Sequence, residues 1–321
     1  MSGIVSNLRN PTATPPSSDA GSARPIEPPD AVTSHPFLRR QLERFSRLTA
    51  TPVGPVREPL LVREAEVVSA LYLVDADVAQ TLVENSPGVE RAPAPWVRVL
   101  RLPFTGQAVV LFSMLQYKRG TLDPYCEIAI QVLAHIEGQE RQLGRDLLAA
   151  MAFGLPQFLW QGLVSMDALF AYVLALPVST EQSLRVGQGL YNSPKYLSPI
   201  SMQRSGQAVT IEDGCGVVIR VPPCSSRSLP MMPFPAIGTN APDGDGVLSC
   251  KIAVPASSSL RYSLKGRLDI DVSPSAETTL ASTIKTLRLD EQPPRLLMQD
   301  ESFTVAFLPA AHRSAGGAQR A

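Results

Sequence analysis

Short runs in which apolar and polar residues alternate dominate the middle and the end of this chain. "WVRVLRL" at 96–102, "GVVIRV" at 216–221, "LSCKIAV" at 248–254, "GRLDIDV" at 266–272 and "FTVAFLP" at 303–309 cluster or alternate apolar and β-branched residues. Runs of this length between turn residues read as strands. "PDGDG" at 242–246 is the clearest of the turns that separate them. The pattern predicts an α+β fold, mainly antiparallel β, with a barrel-like core and helices as additions.

Three stretches depart from it. Residues 1–58 are dense in Pro, Ser, Thr and Ala ("NPTATPPSSDAGSARPIEPPD"), a composition that buries too little apolar surface to offset the entropy of ordering, and they read as a disordered tail. Within them Phe37, Leu38, Leu42, Phe45 and Leu48 stand near helical spacing, which predicts a short docking or transient helix over 35–48. Residues 311–321 read as a second tail, leaving 59–310 as the folded domain. The segment 147–178 carries a single charge, Asp167. Its length suffices for a membrane span, but Pro156, Gln157, Gln161 and Asp167 interrupt it, so the expectation is no span. A buried helical insertion at about 145–166, serving as lid or interface and leading into a core strand "FAYVLALPV", is expected instead.

Of the 321 residues 44% are hydrophobic and 18% charged, with Lys plus Arg and Asp plus Glu equal at 29 each. That balance gives no electrostatic footprint for nucleic acid or an anionic membrane. Cys126, Cys215, Cys224 and Cys250 are widely spaced, with neither a C-x-x-C pair nor a neighbouring histidine, so they read as idle thiols and no metal is expected. The start "MSGIVSNLRN" lacks the basic and apolar regions of a secretory signal, and a cytoplasmic protein is the default expectation. No G-x-x-x-x-G-K-[ST], H-E-x-x-H or G-x-S-x-G occurs, and "GQG" at 187–189 lacks the third glycine of a dinucleotide fingerprint.

What remains is "LRVGQGLYNSPKYLSPI" at 184–200, where Lys195 follows a proline in a polar turn. Such a lysine is either a solvated surface charge or an amine kept in a pocket for chemistry. At neutral pH only about one free lysine in 2,500 carries the neutral, nucleophilic amine. A catalytic lysine therefore needs an apolar pocket or a neighbouring cation. Leu190, Tyr191, Tyr196 and Leu197 supply apolar surroundings in the sequence.

The stretch resembles the acetoacetate decarboxylase family, in which a strand ending in a Pro-Val type pair is followed by a helix containing a glycine and then a Pro-Lys step. The matching positions are Pro177 and Val178, Gly187, and Pro194 with Lys195; the glycine lies eight residues before the lysine, as in the family. The match is firm over about 170–221. The resemblance implies a mostly antiparallel β-cone or double-barrel core with added helices, no organic cofactor and no metal, and a homo-oligomer. It also implies a Schiff base between Lys195 and a small keto acid. "LDPYCEIAI" resembles the strand carrying the family's active-site glutamate, which makes Glu127 its counterpart; a surface carboxylate is the plain alternative. Tyr125 and Tyr191 are candidates to bind a substrate oxygen.

Departures from the family pattern are as informative. Tyr196 stands where a second lysine is common, Phe112 where a second carboxylate is expected, and the substrate-gripping arginine has only an approximate match in Arg63, with Arg98 and Arg101 as other candidates. Decarboxylation of acetoacetate itself is thereby less favoured than action on a different keto substrate, as in secondary metabolism. Two readings stand: a Schiff-base lyase built on Lys195 and Glu127, and a binding or assembly protein that keeps the fold without the chemistry.

Overall fold

Strands form where the chain can cover at least one of their faces, and here the strand Leu169–Val178 is buried along its whole length. The computed structural model describes residues 24–85, 95–139, 143, 169–224, 228–230, 236–242, 246–255, 259–264 and 266–314. The helical insertion expected at 145–166 lies outside these residues, as do 1–23 and 315–321.

The chain opens with helices α1 (Asp30–Thr33) and α2 (Pro36–Phe45) and a hairpin, β1 (Arg47–Thr51) and β2 (Gly54–Glu58). Then follow β3 (Leu60–Asp75), α3 (Ala76–Glu84), β4 (Val97–Val99), β5 (Gln107–Gly120), β6 (Tyr125–Ile136) and β7 (Leu169–Val178). Helix α4 (Glu181–Tyr191) leads into β8 (Lys195–Leu197), β9 (Ile200–Ser205), β10 (Ala208–Asp213) and β11 (Val217–Val221). The remainder comprises β12 (Ser228–Pro230), β13 (Ala236–Asn240), β14 (Gly246–Cys250), β15 (Ile252–Ala253), β16 (Ser259–Ser263), β17 (Asp269–Val272), α5 (Thr279–Thr286), β18 (Leu296–Phe307) and β19 (Ala311–Ser314).

The main sheet runs β12-β16-β18-β3-β5-β6-β7-β13-β14-β19, with β15 on β18, β4 on β6 and β8 on β7. Its pairings are antiparallel except β13 and β8, which run parallel to β7. Strand β14 lies far along the sheet from β18, yet its continuation β15 pairs with β18, and β18 in turn leads into β19, which pairs with β14. The sheet therefore curls on itself. One of its faces, carrying Val68, Ala70, Tyr72, Phe112, Ile128 and Ile130, packs against the second sheet, β17-β11-β10-β9, and against α3 and α5. The other face carries smaller clusters, among them Ala65, Val67, Tyr117 and Phe303, and encloses a cavity. No helix among the described residues is long and apolar enough to cross a membrane.

The expected α+β, mainly antiparallel class is what the structure has. The two ends differ from expectation. Residues 24–58, read from composition as tail, pack on the domain. The helix expected over 35–48 occupies Pro36–Phe45 with its proline at the first position, where a missing N–H costs nothing. It buries Leu38 against Val32, Leu61 and Ala306. The hairpin that follows buries Val56 with Leu60, Val186 and Leu190. At the other end residues 311–314, also read as tail, are strand β19.

Leu38 is 0% exposed, so Leu38→Ala should cost about 2–4 kcal/mol of stability, through lost burial and the cavity left behind. Urea denaturation checks this, since a helix resting loosely on the surface would lose less than about 0.5 kcal/mol.

Candidate active site

Three neighbouring strands bring the lysine and the glutamate together. Strand β7 ends at Val178, and Thr180 caps α4 by accepting the Ser183 N–H at 3.3 Å. The helix ends at Asn192, whose φ of 43° is the left-handed conformation suited to a helix C-terminus. The Asn192 side chain donates to the Asn240 carbonyl at 2.9 Å, tying this turn to β13. The chain then re-enters the sheet as β8, with Lys195 against Leu176 of β7. On the other side of β7, Glu127 of β6 is set against Val178. Leu176 and Val178 are two residues apart and share a face, so Lys195 and Glu127 share it too. Lys195 Nζ stands 2.9 Å from Glu127 Oε2, with the two side chains only 10% and 11% exposed.

Aromatic rings and a glycine position this pair. Tyr117 and Tyr125, directly opposite each other on β5 and β6, stack with centroids 4.4 Å apart. Lys195 Nζ lies 5.4 Å from the Tyr125 ring centre, within cation–π range. The Tyr117 hydroxyl donates a long, 3.5 Å hydrogen bond to Glu127 Oε1. Beneath the lysine, a Cβ at Gly187 would come within 2.6 Å of Lys195 Cδ and 2.9 Å of Ser193 Oγ. Only glycine leaves room for the stem to lie along the helix backbone.

The cavity above the pair has a volume of about 60 Å³. Gln131, Tyr191, Ser193 and Thr239 contribute polar groups, while Leu60, Leu176, Ile237, Leu248 and Phe307 form the apolar wall. Burial pushes the phenols of Tyr117, Tyr125 and Tyr191 well above their ordinary range, and the Glu127 charge adds to this at the first two. Burial also pushes up the Cys250 thiol, which lines the same space. At neutral pH the three tyrosines are therefore neutral hydroxyls.

Of the residues singled out in the sequence, Lys195, Glu127, Tyr125 and Tyr191 line this cavity. Three others do not. Phe112 is fully buried on the opposite face of the sheet, because it is an odd number of residues from Tyr117 on the same strand. Tyr196, next to Lys195 on β8, is turned away for the same reason and accepts the Leu280 N–H at 2.9 Å. Arg63 bonds the Ala31 carbonyl and lies 3.5 Å from Ser34 Oγ, near α1. The alternative arginines are also engaged elsewhere, Arg98 with Glu84 and Glu137, and Arg101 with Asp77. The cavity also contains residues the sequence reading passed over: Tyr117, Gln131, Ser193, Thr239 and Cys250. Tyr117 was within reach, since a hairpin of "LQYKRG" and "LDPYCEI" sets it opposite Tyr125.

No protein-family model and no curated sequence matches the chain. Solved structures do match in shape. The chain is similar to an acetoacetate decarboxylase from Legionella pneumophila, at 13% identity and a TM-score of 0.50, over 80% of this chain and 88% of that one. A second acetoacetate decarboxylase structure matches at 14% identity and a TM-score of 0.50, over 83% and 91% of the two chains. Identity this low speaks to the path of the backbone and leaves the chemistry to the residues. The chain has the acetoacetate decarboxylase-like fold.

Proposed function

We propose that the protein is a lyase that acts on a small keto substrate through a Schiff base on Lys195. The observation that carries this reading is the enclosed Lys195–Glu127 pair, 2.9 Å apart at the floor of a cavity. Along that hydrogen bond the ammonium gives a proton to the carboxylate, leaving a neutral amine and a carboxylic acid. The amine attacks the substrate carbonyl carbon, and its surplus proton passes to the oxygen to give a carbinolamine. The Glu127 acid then protonates the departing hydroxyl, which leaves as water. An iminium and the original carboxylate remain, so the charge of the site is the same before and after.

The iminium accepts the electron pair released when a bond on the neighbouring carbon breaks. Loss of carbon dioxide, retro-aldol cleavage and dehydration all use this sink. Glu127 can take the proton of a β-hydroxyl during cleavage and return it to the enamine carbon. The stacked Tyr117 and Tyr125 wall off water and hold Lys195 and Glu127 in place. The same closed ion pair is what favours the second reading, a binding protein, because a lysine that stays paired is no nucleophile.

Trapping separates the two. With borohydride and acetone, acetoacetate or pyruvate, intact mass should show a ketone adduct mapping to Lys195. The adduct should vanish in Lys195→Arg, which keeps the positive charge beside Glu127. Adducts that persist in the variant, or none with any ketone, would sink the lyase reading. Glu127→Gln should slow adduct formation about 100-fold by removing the proton carrier. Gly187→Ala should reduce it at least about 10-fold by displacing the lysine stem, with the far-UV circular dichroism unchanged.

A further inference from the structure

Two hydroxyls that line the cavity, Tyr191 Oη and Ser193 Oγ, are buried without an oxygen or nitrogen partner among the described residues. Ser193 is only 5% exposed, and the Tyr191 hydroxyl is bonded to the Cys250 thiol, a weak partner. Three neighbouring polar side chains are already engaged. Thr239 Oγ1 donates to the Tyr191 carbonyl, Tyr117 donates to Glu127, and Lys195 pairs with Glu127. Buried polar groups in folded proteins are satisfied nearly without exception, so two hydroxyls without a strong partner inside a cavity point to a ligand that completes them.

We infer that Tyr191 and Ser193 determine specificity, and that the substrate is a small neutral hydroxy-ketone or hydroxy-aldehyde in place of a keto acid. The inference rests on the Schiff-base reading of Lys195. Charge is its first support. Among the described residues lining the cavity, Lys195 and Glu127 are the formally charged ones, and they sum to zero. A carboxylate would bring an unbalanced negative charge into a buried space already holding Glu127. A neutral ketone leaves the sum at zero from the ammonium to the iminium.

The hydroxyls are the second support. A substrate hydroxyl both donates and accepts, and so do the side chains of tyrosine and serine, so the three can close a short chain of hydrogen bonds. Their place along the chain fits, since Ser193 Oγ and the Lys195 stem flank the same point above Gly187. The group held there is close to the carbonyl that Nζ attacks. Volume is the third: about 60 Å³ is several times the roughly 10–15 Å³ that a single water requires, which is room for a small ligand.

The test is borohydride trapping over a concentration series of hydroxyacetone, acetone, pyruvate and acetoacetate, read as label on Lys195. Hydroxyacetone should reach half-maximal labelling at roughly 10-fold lower concentration than acetone, which lacks the hydroxyl, and lower than either acid. Tyr191→Phe and Ser193→Ala should each shrink the preference for hydroxyacetone over acetone about five-fold. A structural disturbance would shift both ketones together and leave their ratio intact. An acid that labels at lower concentration than hydroxyacetone, or variants that leave the ratio unchanged, would overturn this inference while leaving Schiff-base chemistry in place. No label with any of the four removes the reading beneath it and this one with it.

Discussion

Strand β7 is the constraint on which the site depends. All ten residues from Leu169 to Val178 are buried, which requires cover on both faces and partners along both edges. One face, through Tyr172 and Leu174, belongs to the core shared with the second sheet, and the other, through Val173 and, past a bulge at Leu174, Leu176, forms the cavity side. Strand β6 takes one edge and β8 with β13 the other. A strand so enclosed has no freedom to slide, because a one-residue slip would exchange its faces. The spacing of Lys195 and Glu127, each set against β7 from a different edge, inherits that rigidity.

Rigidity matters because the pair is costly. Removing a charge from water costs on the order of several kcal/mol per ion before any attraction is counted, and apolar residues of similar size are often at least as stabilising in such places. Stability alone therefore gives no reason for a lysine and a glutamate at the end of an apolar strand. The surroundings offset part of the cost with the Tyr125 ring face and the Tyr117 hydroxyl.

Much of this was legible in the sequence, and the limits have physical causes. The strands announced themselves by alternation, and the Pro-Lys step with its preceding glycine marked the lysine, because a tight turn and a packed stem leave signatures in residue type. Glu127 was legible through the same resemblance. Phe112 and Tyr196 were misplaced for a reason the chain itself contains: residues an odd number apart on a strand face opposite ways. Applied to Lys195 and Tyr196, that rule excludes one of the two from any shared pocket. Arg63 failed differently, since its partners at Ala31 and Ser34 come from a segment that composition had assigned to a tail. Ser193 and Thr239 carry no pattern, and only the meeting of distant elements places them.

The N-terminal segment shows most plainly why composition misled. Its prolines act as punctuation: Pro29 precedes α1 and Pro36 opens α2. At the tip of the hairpin that follows, Thr51 and Pro52 rest on α4, where a Cβ at Gly189 would lie within 2.9 Å of both residues. Glu58, fully buried at the end of the hairpin, is bound by Arg47 at 2.6 Å and Thr49 at 2.5 Å. Its charge reaches Tyr191 and Cys250 in the cavity wall. The two glycines of "GQG" thus have separate tasks. Residues two apart on a helix point about 200° apart, so Gly187 thins α4 on the side of the lysine stem and Gly189 on the side of the hairpin. The motif that fell short of a nucleotide fingerprint clears space for the hairpin tip on one side and for Lys195 on the other. A helix clamped in this way holds Tyr191, and through the turn at Asn192 also Ser193 and Lys195, at fixed distances from Glu127.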